Sequence, residues 1–416
     1  MRGATDRMGL EQELRAHWWA AVASVTRSTG DLAVAEDAVQ DACLAALAAW
    51  PTAGLPADPR RWLIGTARHK ALDVLRREAR RSVKEEVAVR ELSLPSEPSA
   101  AGDPAVAPED QLALIFLCCH PALDPQVRVA LTLRAVCGLS PHQIAAAFLL
   151  PEPTLTKRLV RARRKIRDTG IRLTSPKAEA LPERLDAVLR VVYLVFTEGH
   201  RTSTGPALVG EELCDTAIAL ARALSALLPH EPEVTGLLAL LLLTDARRDA
   251  RTDDTGQLVL LAEQDRSRYD PVLIAEAEAL LERALRTSRP GPYQVQAAIA
   301  ACHSTARHPR DTDWREIAAL YGELLRYEPT PVHEANRAVA VAMAEGPAAG
   351  LVILDAVAHH PQLARWPALH VARADLLQRL GRAADAIDAY QSALQLDPGP
   401  AERNFIQRQL HQLTHA

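Results

Sequence analysis

Apolar and polar positions along this chain recur at the spacing of α-helices, most clearly between residues 154 and 168. Leu155, Leu159, Ala162 and Ile166 fall at i, i+4, i+7 and i+11, which places them on one face of a helix. The pattern predicts a helix that opens at Thr154 and packs through this apolar face.

A shorter helix is predicted just before it. Ser140 suits an N-cap, Pro141 suits the first helical position, and Gln143 completes a capping box. The prolines at 151 and 153 break the pattern, because proline has no backbone N–H to donate. The two segments together predict a helix, a tight turn and a second helix.

The other faces of the second helix are strongly basic. A basic amphipathic helix that follows a helix and a turn is typical of a helix-turn-helix recognition helix, which binds DNA. The alternative for such a charge run is a solvated basic helix. The basic residues are Lys157, Arg158, Arg161, Arg163, Arg164, Lys165 and Arg167.

Residues 10–81 are also predicted to be helical. Asp31 suits the N-cap of a helix with an acidic cluster on its outer side, which is either a solvated face or a docking patch for a basic partner. We expect the inward positions to be Val34, Ala38, Ala42, Ala45 and Leu47. We expect the acidic cluster to be exposed; it comprises Glu36, Asp37, Gln40 and Asp41.

A loop at residues 51–59 leads into a basic helix. Such a helix with a tryptophan at its start suits single-stranded nucleic acid, because charge follows the backbone and bases stack on aromatic rings. A tryptophan in the core is an equal alternative for Trp62. The expected packing positions are Trp62, Ile64 or Gly65, Leu72 and Leu75, and the expected exposed positions are Arg61, Arg68, Lys70, Arg76 and Arg77.

Residues 82–108 are rich in Ser, Pro, Ala and Glu without a lasting period, which predicts a linker before a helix-turn-helix domain at 109–173. From 180 to 416 the pattern predicts helix after helix. The spacing of Ala386, Tyr390, Ala393 and Pro398 is repeated by residues 317, 321, 324 and 329, and the two prolines are 69 residues apart, about two tetratricopeptide repeats. The predicted fold class is therefore all-α, ending in a tetratricopeptide-like solenoid that suits protein or peptide binding.

The length of 416 residues predicts two to three domains. The net charge of -4 hides an asymmetry, because residues 1–175 carry 24 Lys and Arg against 20 Asp and Glu, whereas residues 176–416 carry 24 against 32. Positive charge is concentrated at 60–84 and 157–172, which suggests two contacts with a polyanion.

Six cysteines without a C-x-x-C pair argue against a zinc module and against a disulfide framework. Cys118, Cys119 and His120 are consecutive, and consecutive side chains diverge by about 100° on a helix, so we expect buried small side chains there. No cofactor is expected. No stretch approaches a transmembrane span and the first residues lack a signal-peptide pattern, so we expect a cytoplasmic protein.

Taken in order, these segments resemble the extracytoplasmic-function class of bacterial RNA polymerase sigma factors. Residues 31–50 resemble the helix that docks on the polymerase clamp, residues 59–77 the part that melts and reads the −10 element, and residues 127–167 the domain that reads the −35 element. The resemblance implies two small helical domains, at 10–81 and 109–173, that bind core RNA polymerase and promoter DNA and direct promoter-specific initiation.

The resemblance also implies three groups of binding residues. The polymerase-docking group is Asp31, Glu36, Asp37, Gln40 and Asp41. The −10 group, in which Arg60 and Trp62 would lie near an extruded base, is Arg60, Arg61, Trp62, Arg68, Lys70, Arg76 and Arg77. The −35 group is Thr154, Thr156, Lys157, Arg158, Arg161 and Arg164.

Residues 180–416 are similar to a C-terminal extension with tetratricopeptide-like repeats that one subgroup carries. The segments 193–200 and 264–270 have counterparts there, although Thr197, His200 and Tyr269 replace an expected Asn, Tyr and Trp. The negative charge of the extension opposes the positive charge of the N-terminal part, and the extension makes up more than half of the chain. We therefore expect it to modulate or support activity by contacting the sigma domains or the polymerase, with a regulatory protein as a candidate partner. We expect it to contribute positively.

Two other functions have some support in the sequence. Glu198 with His200, or Asp265 with Asp270, would be candidate acid/base pairs, but no orienting residue, phosphate loop or metal spacing accompanies them, so we expect no enzymatic activity. A one-component helix-turn-helix regulator with a ligand- or protein-sensing solenoid is the alternative function. The acidic helix and the −10-like helix before the linker argue against it.

Overall fold

The computed structural model describes residues 2–85, 108–148, 150–177, 179–202, 207–253, 259, 261, 263–363 and 366–415. The regular elements in these ranges are helices, which confirms the all-α prediction. The chain divides into two compact units, Met1–Glu198 and Gly199–Ala416. Most of the predicted linker, residues 86–107, lies outside the described residues.

The two sigma-type segments both lie in the first unit. Its first three helices precede the linker, and the remaining ones follow it. The helices are α1 (Arg2–Thr29), α2 (Leu32–Ala53), α3 (Pro59–Glu85), α4 (Pro108–Cys118), α5 (Pro125–Ala135), α6 (Pro141–Ala147), α7 (Glu152–Asp168) and α8 (Leu181–Thr202), which contains the division between the units.

Capping side chains start two of these helices, as the sequence predicts. Asp31 Oδ1 accepts hydrogen bonds from the backbone N–H groups of Ala33 at 2.7 Å and Val34 at 3.3 Å. Ser140 and Gln143 form the predicted capping box: Gln143 N–H donates to Ser140 Oγ at 3.2 Å, and Ser140 N–H donates to Gln143 Oε1 at 2.8 Å. Both contacts satisfy backbone donors that have no partner inside the helix.

The turn between α6 and α7 differs in extent from the prediction. Helix α6 ends at Ala147, and α7 begins at Glu152 rather than at Thr154. Pro153 is accommodated in the first turn of α7, because the N–H groups of the first turn have no acceptor within the helix and proline loses nothing there.

Helices α1, α2 and α3 pack together around small and aliphatic side chains such as Ala42 and Leu63, both fully buried. Trp62 is half-buried and meets Trp50 edge to face, with 5.3 Å between ring centroids. The prediction that Leu72 packs is wrong, because its position on α3 leaves it 37% exposed. The predicted inward positions 34, 45 and 47 are only half-buried.

The second unit is a series of helices joined mostly by short connections. Short 3₁₀ turns lie between some of them. The helices are α9 (Ala207–Leu227), α10 (Pro232–Asp245), α11 (Pro271–Leu285), α12 (Pro292–Ser304), α13 (Trp314–Tyr327), α14 (Pro331–Glu345), α15 (Pro347–Val357), α16 (Pro367–Arg379), α17 (Ala383–Gln395) and α18 (Pro400–His415).

The C-terminal helices include a hairpin, α16 and α17, in which residues of the repeated sequence spacing are buried. Gly381, with φ +74°, forms the turn between α16 and α17, and Ala386, Tyr390 and Ala393 of α17 are at most 2% exposed. These positions are the ones that a tetratricopeptide repeat fills with small and large packing residues. The classification of the hairpins as tetratricopeptide repeats stays a prediction.

Helix α10 is buried along nearly its whole length, including the apolar run 237–243. It approaches α12 closely at Gly236, where an added Cβ would lie 2.7 Å from Gln294 Cγ and 2.9 Å from Gln294 N. The approach depends on the absence of a side chain at Gly236, because the backbone N of Gln294 cannot rotate away as its side chain could.

Replacing Gly236 by alanine should therefore lower the thermal unfolding midpoint, at a cost of about 1–3 kcal/mol for overpacking. The matched control is Gly322→Ala in α13, where a new Cβ would meet nothing within 4 Å. That control should be neutral or stabilising by up to about 1 kcal/mol, because alanine favours a helix interior over glycine. Equal midpoints for the two variants in differential scanning calorimetry would contradict the proposed packing of α10 on α12.

Candidate polymerase and promoter interfaces

Helix α7 presents the basic face that the sequence predicts. Its apolar stripe, Leu155, Leu159, Ala162 and Ile166, is buried at 1–6% exposure. The opposite side faces solvent, as is typical of an amphipathic helix at the surface. Five of the six −35 candidates are exposed: Thr154, Thr156, Lys157, Arg161 and Arg164.

Two of the −35 candidates have protein partners. Arg158, which is half-buried, donates from Nη1 to Gln126 Oε1 of α5 at 3.1 Å. Arg164 donates from Nε to Asp168 Oδ2 at 3.2 Å, one helical turn along α7. The contact of Arg158 positions its guanidinium beside the start of α5, whereas the exposed pair of Arg164 is weak and easily exchanged for a phosphate.

The acidic cluster of α2 is not uniformly exposed, and the prediction for Glu36 is wrong. The Glu36 side chain is fully buried, and its Oε2 accepts a hydrogen bond from Arg163 Nη2 of α7. Arg134 of α5 places its Nε 3.8 Å from the same oxygen. We call Glu36, Arg134 and Arg163 the Glu36 cluster.

Burial and ion pairing act in opposite directions on the Glu36 carboxyl. Removal from water raises the pKa of Glu36, and the guanidinium groups of Arg163 and Arg134 limit that rise. Burial also lowers the pKa of Arg134, an effect that Glu36 opposes. The cluster is therefore an ion pair formed at a considerable desolvation cost.

Sequence reasoning missed this contact, although a signal was present. Glu36 lies four residues after Leu32 and three before Val39, both buried, so it belongs to an apolar stripe. Arg163 has the same relation to Leu159 and Ile166 on α7. A charge on a buried stripe needs a partner of opposite charge, but the sequence does not show which partner.

The other polymerase-docking candidates differ in their surroundings. Asp37 and Asp41 are exposed. Gln40 accepts a hydrogen bond through Oε1 from Arg134 Nη2 at 2.7 Å, and Asp31 Oδ2 lies 3.1 Å from Arg167 Nη1. Three of the five candidates therefore contact helices α5 and α7.

The −10 candidates lie along α3. Arg61, Arg76 and Arg77 are exposed, and Arg60 and Lys70 are half-buried. Arg68 donates from Nη2 to Ser24 Oγ of α1 at 2.8 Å, which ties its guanidinium to the helix packing. Trp62 packs on Trp50, so both the core and the base-stacking interpretation remain compatible with its half-buried position.

The segment 264–270 of the second unit forms loop contacts. Arg266 donates from Nη1 to the carbonyl of His303 at 2.8 Å and from Nη2 to Thr312 Oγ1 at 3.1 Å. Tyr269 donates to Gln264 Oε1 at 3.0 Å, and Asp270 caps α11. These contacts fix the loops before α11 and α13. Such a structural role is the alternative to acid/base catalysis by Asp265 and Asp270.

His200 is poorly suited to proton transfer near neutral pH. Burial, together with the positive charges of Arg251, Arg247 and Arg248, lowers the pKa of His200 to about 3. A base with such a low pKa holds a proton too weakly to act as a general acid at pH 7. Cys118 and Cys119 are buried at 0% and 1%, as expected for small packing residues.

None of the helices in the described part of the chain is long and apolar enough to cross a membrane.

Comparison with known families matches three parts of the chain. Residues 12–81 match sigma-70 region 2, residues 113–166 match sigma-70 region 4, and residues 184–285 match a family of unknown function, DUF6596. The chain is also 42% identical over 395 residues to an uncharacterized protein of Rhizobium meliloti (strain 1021), covering 94% of this chain and 93% of the relative.

The region 2 match covers α1 to α3, and the region 4 match covers α4 to α7. Sigma domains of these two kinds indicate a transcription factor rather than an enzyme, and they imply that core RNA polymerase and promoter DNA are the partners. The chain therefore belongs to the sigma-70 family, as an extracytoplasmic-function-like sigma factor with a C-terminal extension.

Proposed function

We propose that this protein binds core RNA polymerase, directs it to promoters with −10 and −35 elements, and depends on its C-terminal extension for full activity. The observation that carries the proposal is the exposed basic face of α7, which is held in place by a buried apolar stripe in a region 4 domain. A basic face that a helix-turn-helix presents to solvent suits a DNA groove.

The residue roles follow from exposure. Asp37 and Asp41 are the exposed carboxylates of the docking group, so they meet basic side chains of the polymerase clamp first. Lys157, Arg161 and Arg164 contact phosphates or bases of the −35 element, and Arg76 and Arg77 contact phosphates near the −10 element. A protein partner of the C-terminal hairpins belongs to the same proposal.

Transcription in vitro tests the function directly. Purified protein and core polymerase are mixed with a genomic template, and the transcript starts are sequenced. The expected result is a small set of start sites that share upstream sequence. A chain that binds promoter DNA alone, and that does not co-elute with core polymerase in gel filtration, would instead be a one-component regulator.

Removing the two exposed carboxylates of α2 should weaken polymerase binding. Asp37→Ala with Asp41→Ala is expected to raise the Kd for core polymerase on the order of tenfold at low salt, mainly through slower association, because exposed charges at a rim steer encounter. The loss should shrink as salt rises. Surface plasmon resonance measures both rates.

The matched control is Glu278→Ala with Glu282→Ala on α11, which removes two exposed carboxylates at the same i, i+4 spacing. Its association rate should equal that of the unchanged protein. A similar loss in both double variants would indicate that only the overall charge matters and would contradict a docking role for α2.

A further inference from the structure

The contact between the region 2 and region 4 domains is built from complementary groups on both sides. At its centre, Glu36 is paired with Arg163 and Arg134. Arg134 is held in turn by Leu139, whose carbonyl accepts from Nη1 at 3.2 Å, and by Trp18, whose ring centroid lies 5.3 Å below the guanidinium. Leu139 thus holds the guanidinium from within the region 4 domain, whereas Trp18 adds a second contact across to α1 of region 2.

Further contacts flank the Glu36 cluster. Trp18 Nε1 donates to the carbonyl of Ala135 at 3.1 Å. Gly138, with φ +73°, lets the chain pass over the same indole, because a Cβ there would lie 3.0 Å from Trp18 Cγ. Arg167 pairs with Asp31 at 3.1 Å, and Arg27 of α1 pairs with Asp110 of α4. Helices α1 and α2 thus meet α4, α5 and α7 through both shape and charge.

The contact between the two domains covers part of the proposed polymerase-docking surface of α2. Asp31, Glu36 and Gln40, three of the docking candidates, are engaged by α5 and α7. The exposed face of α7, with Lys157 and Arg161, stays open to solvent. The same surface of α2 cannot hold α7 and a polymerase clamp at once, so the two occupants exclude each other.

We propose that the Glu36 cluster is an autoinhibitory latch, in which Arg163 and Arg134 occupy the polymerase-docking face of α2 until core polymerase displaces them. This inference rests on the proposed function. The basic side chains of region 4 act as an internal substitute for basic side chains of the clamp, and docking releases the recognition helix toward the −35 element.

The chemistry of the cluster suits a contact that has to open. Among the residues that the structure describes, no donor reaches Glu36 Oε1, so the buried carboxylate is only partly satisfied. A buried ion pair gains little net free energy because desolvation offsets the attraction. It nevertheless specifies the partner, because removing one charge leaves the other buried and unpaired. A contact of this kind is specific without being permanent.

The first experiment detects the closed state without polymerase. Arg167→Lys introduces a primary amine beside Asp31, whose carboxylate is partly exposed. A carbodiimide activates that carboxylate, the amine attacks it, an amide bond forms, and the carbodiimide leaves as a urea that carries the lost water. Mass spectrometry of the full-length protein quantifies the cross-linked peptides. Arg172→Lys, an exposed position outside the contact, is the matched control and should give no such product.

The second experiment opens the latch from the region 4 side, which leaves the docking group intact. Arg163→Ala should reduce the Asp31 cross-link by at least half and lower the Kd for core polymerase about tenfold, because a larger fraction of molecules is competent to bind. Arg172→Ala should change neither quantity. If Arg163→Ala does not fold, Gly138→Ala opens the contact by steric conflict with Trp18 and should give the same result.

The outcomes separate the latch from the proposed function. Absence of the Asp31 cross-link, or a yield that saturating core polymerase leaves unchanged while it binds, would overturn the latch and leave the sigma function in place. Tighter polymerase binding by Arg163→Ala together with a lower cross-link yield supports it. An unchanged protein and an Arg163→Ala variant that both fail to bind core polymerase would overturn the proposed function, and with it the release of the latch by polymerase.

Discussion

Replacing Lys157, Arg161 and Arg164 by alanine should abolish most of the affinity for promoter DNA while leaving polymerase binding intact. All three side chains are exposed on the face of α7 opposite its buried stripe. Each phosphate contact releases about 0.9 counterion, so three lost contacts correspond to an affinity loss on the order of 10²- to 10³-fold near 0.1 M salt. The slope of log K against log salt should become shallower by about three.

The measurement is a fluorescence-anisotropy titration of holoenzyme with a promoter fragment, repeated at several salt concentrations. The matched control removes three exposed arginines elsewhere, by Arg283→Ala, Arg286→Ala and Arg326→Ala. That control should retain the affinity and slope of the unchanged protein. Simultaneous loss of DNA and polymerase binding in the α7 variant, with an altered circular dichroism spectrum, would point to misfolding instead.

Removal of the C-terminal extension is the second large effect that we expect. The chain should be cut after Thr202 rather than after Leu173, because α8 begins in the first unit. Arg184 of α8 donates to the carbonyl of Phe116 and stacks on its ring at 5.7 Å. A cut at residue 173 would remove this contact from region 4. Lower activity could then result from a destabilised region 4 rather than from the missing extension.

The truncated chain should support transcription at a level on the order of tenfold below that of the full-length protein. A second binding module raises the effective concentration of the first at its target, and its removal takes away that gain. Transcription by equal soluble concentrations of the two proteins is compared on one template, with core polymerase affinity as a parallel readout. Higher activity of the truncated chain would instead make the extension an inhibitor.

Local patterns predicted the helices and their caps because those features depend on residues within one or two turns. The Ser140 and Gln143 capping box and the apolar stripe from Leu155 to Ile166 are of this kind, and both are confirmed. The start of α7 was misplaced by two residues, because a proline in the first turn is compatible with a helix as well as with a break.

Local patterns of this kind could not predict the environment of Glu36. Glu36 and Arg163 are 127 residues apart in the chain, and neither local spacing nor composition states which distant charge meets a given carboxylate. The contacts of Arg266 and Tyr269 could not be predicted from the sequence for the same reason. They join loop residues that only the tertiary fold brings together.

The chain between α3 and α4 limits how far region 4 can travel when it leaves region 2. Helix α3 ends at Glu85 and α4 begins at Pro108, so even a fully extended connection reaches only about 80 Å. One domain confined within that radius of the other has a local concentration on the order of 1 mM. An intramolecular contact with a dissociation constant of about 1 mM would therefore keep about half of the molecules closed at any dilution of the protein. A polymerase clamp present at micromolar concentration must bind far more tightly than this contact to replace it.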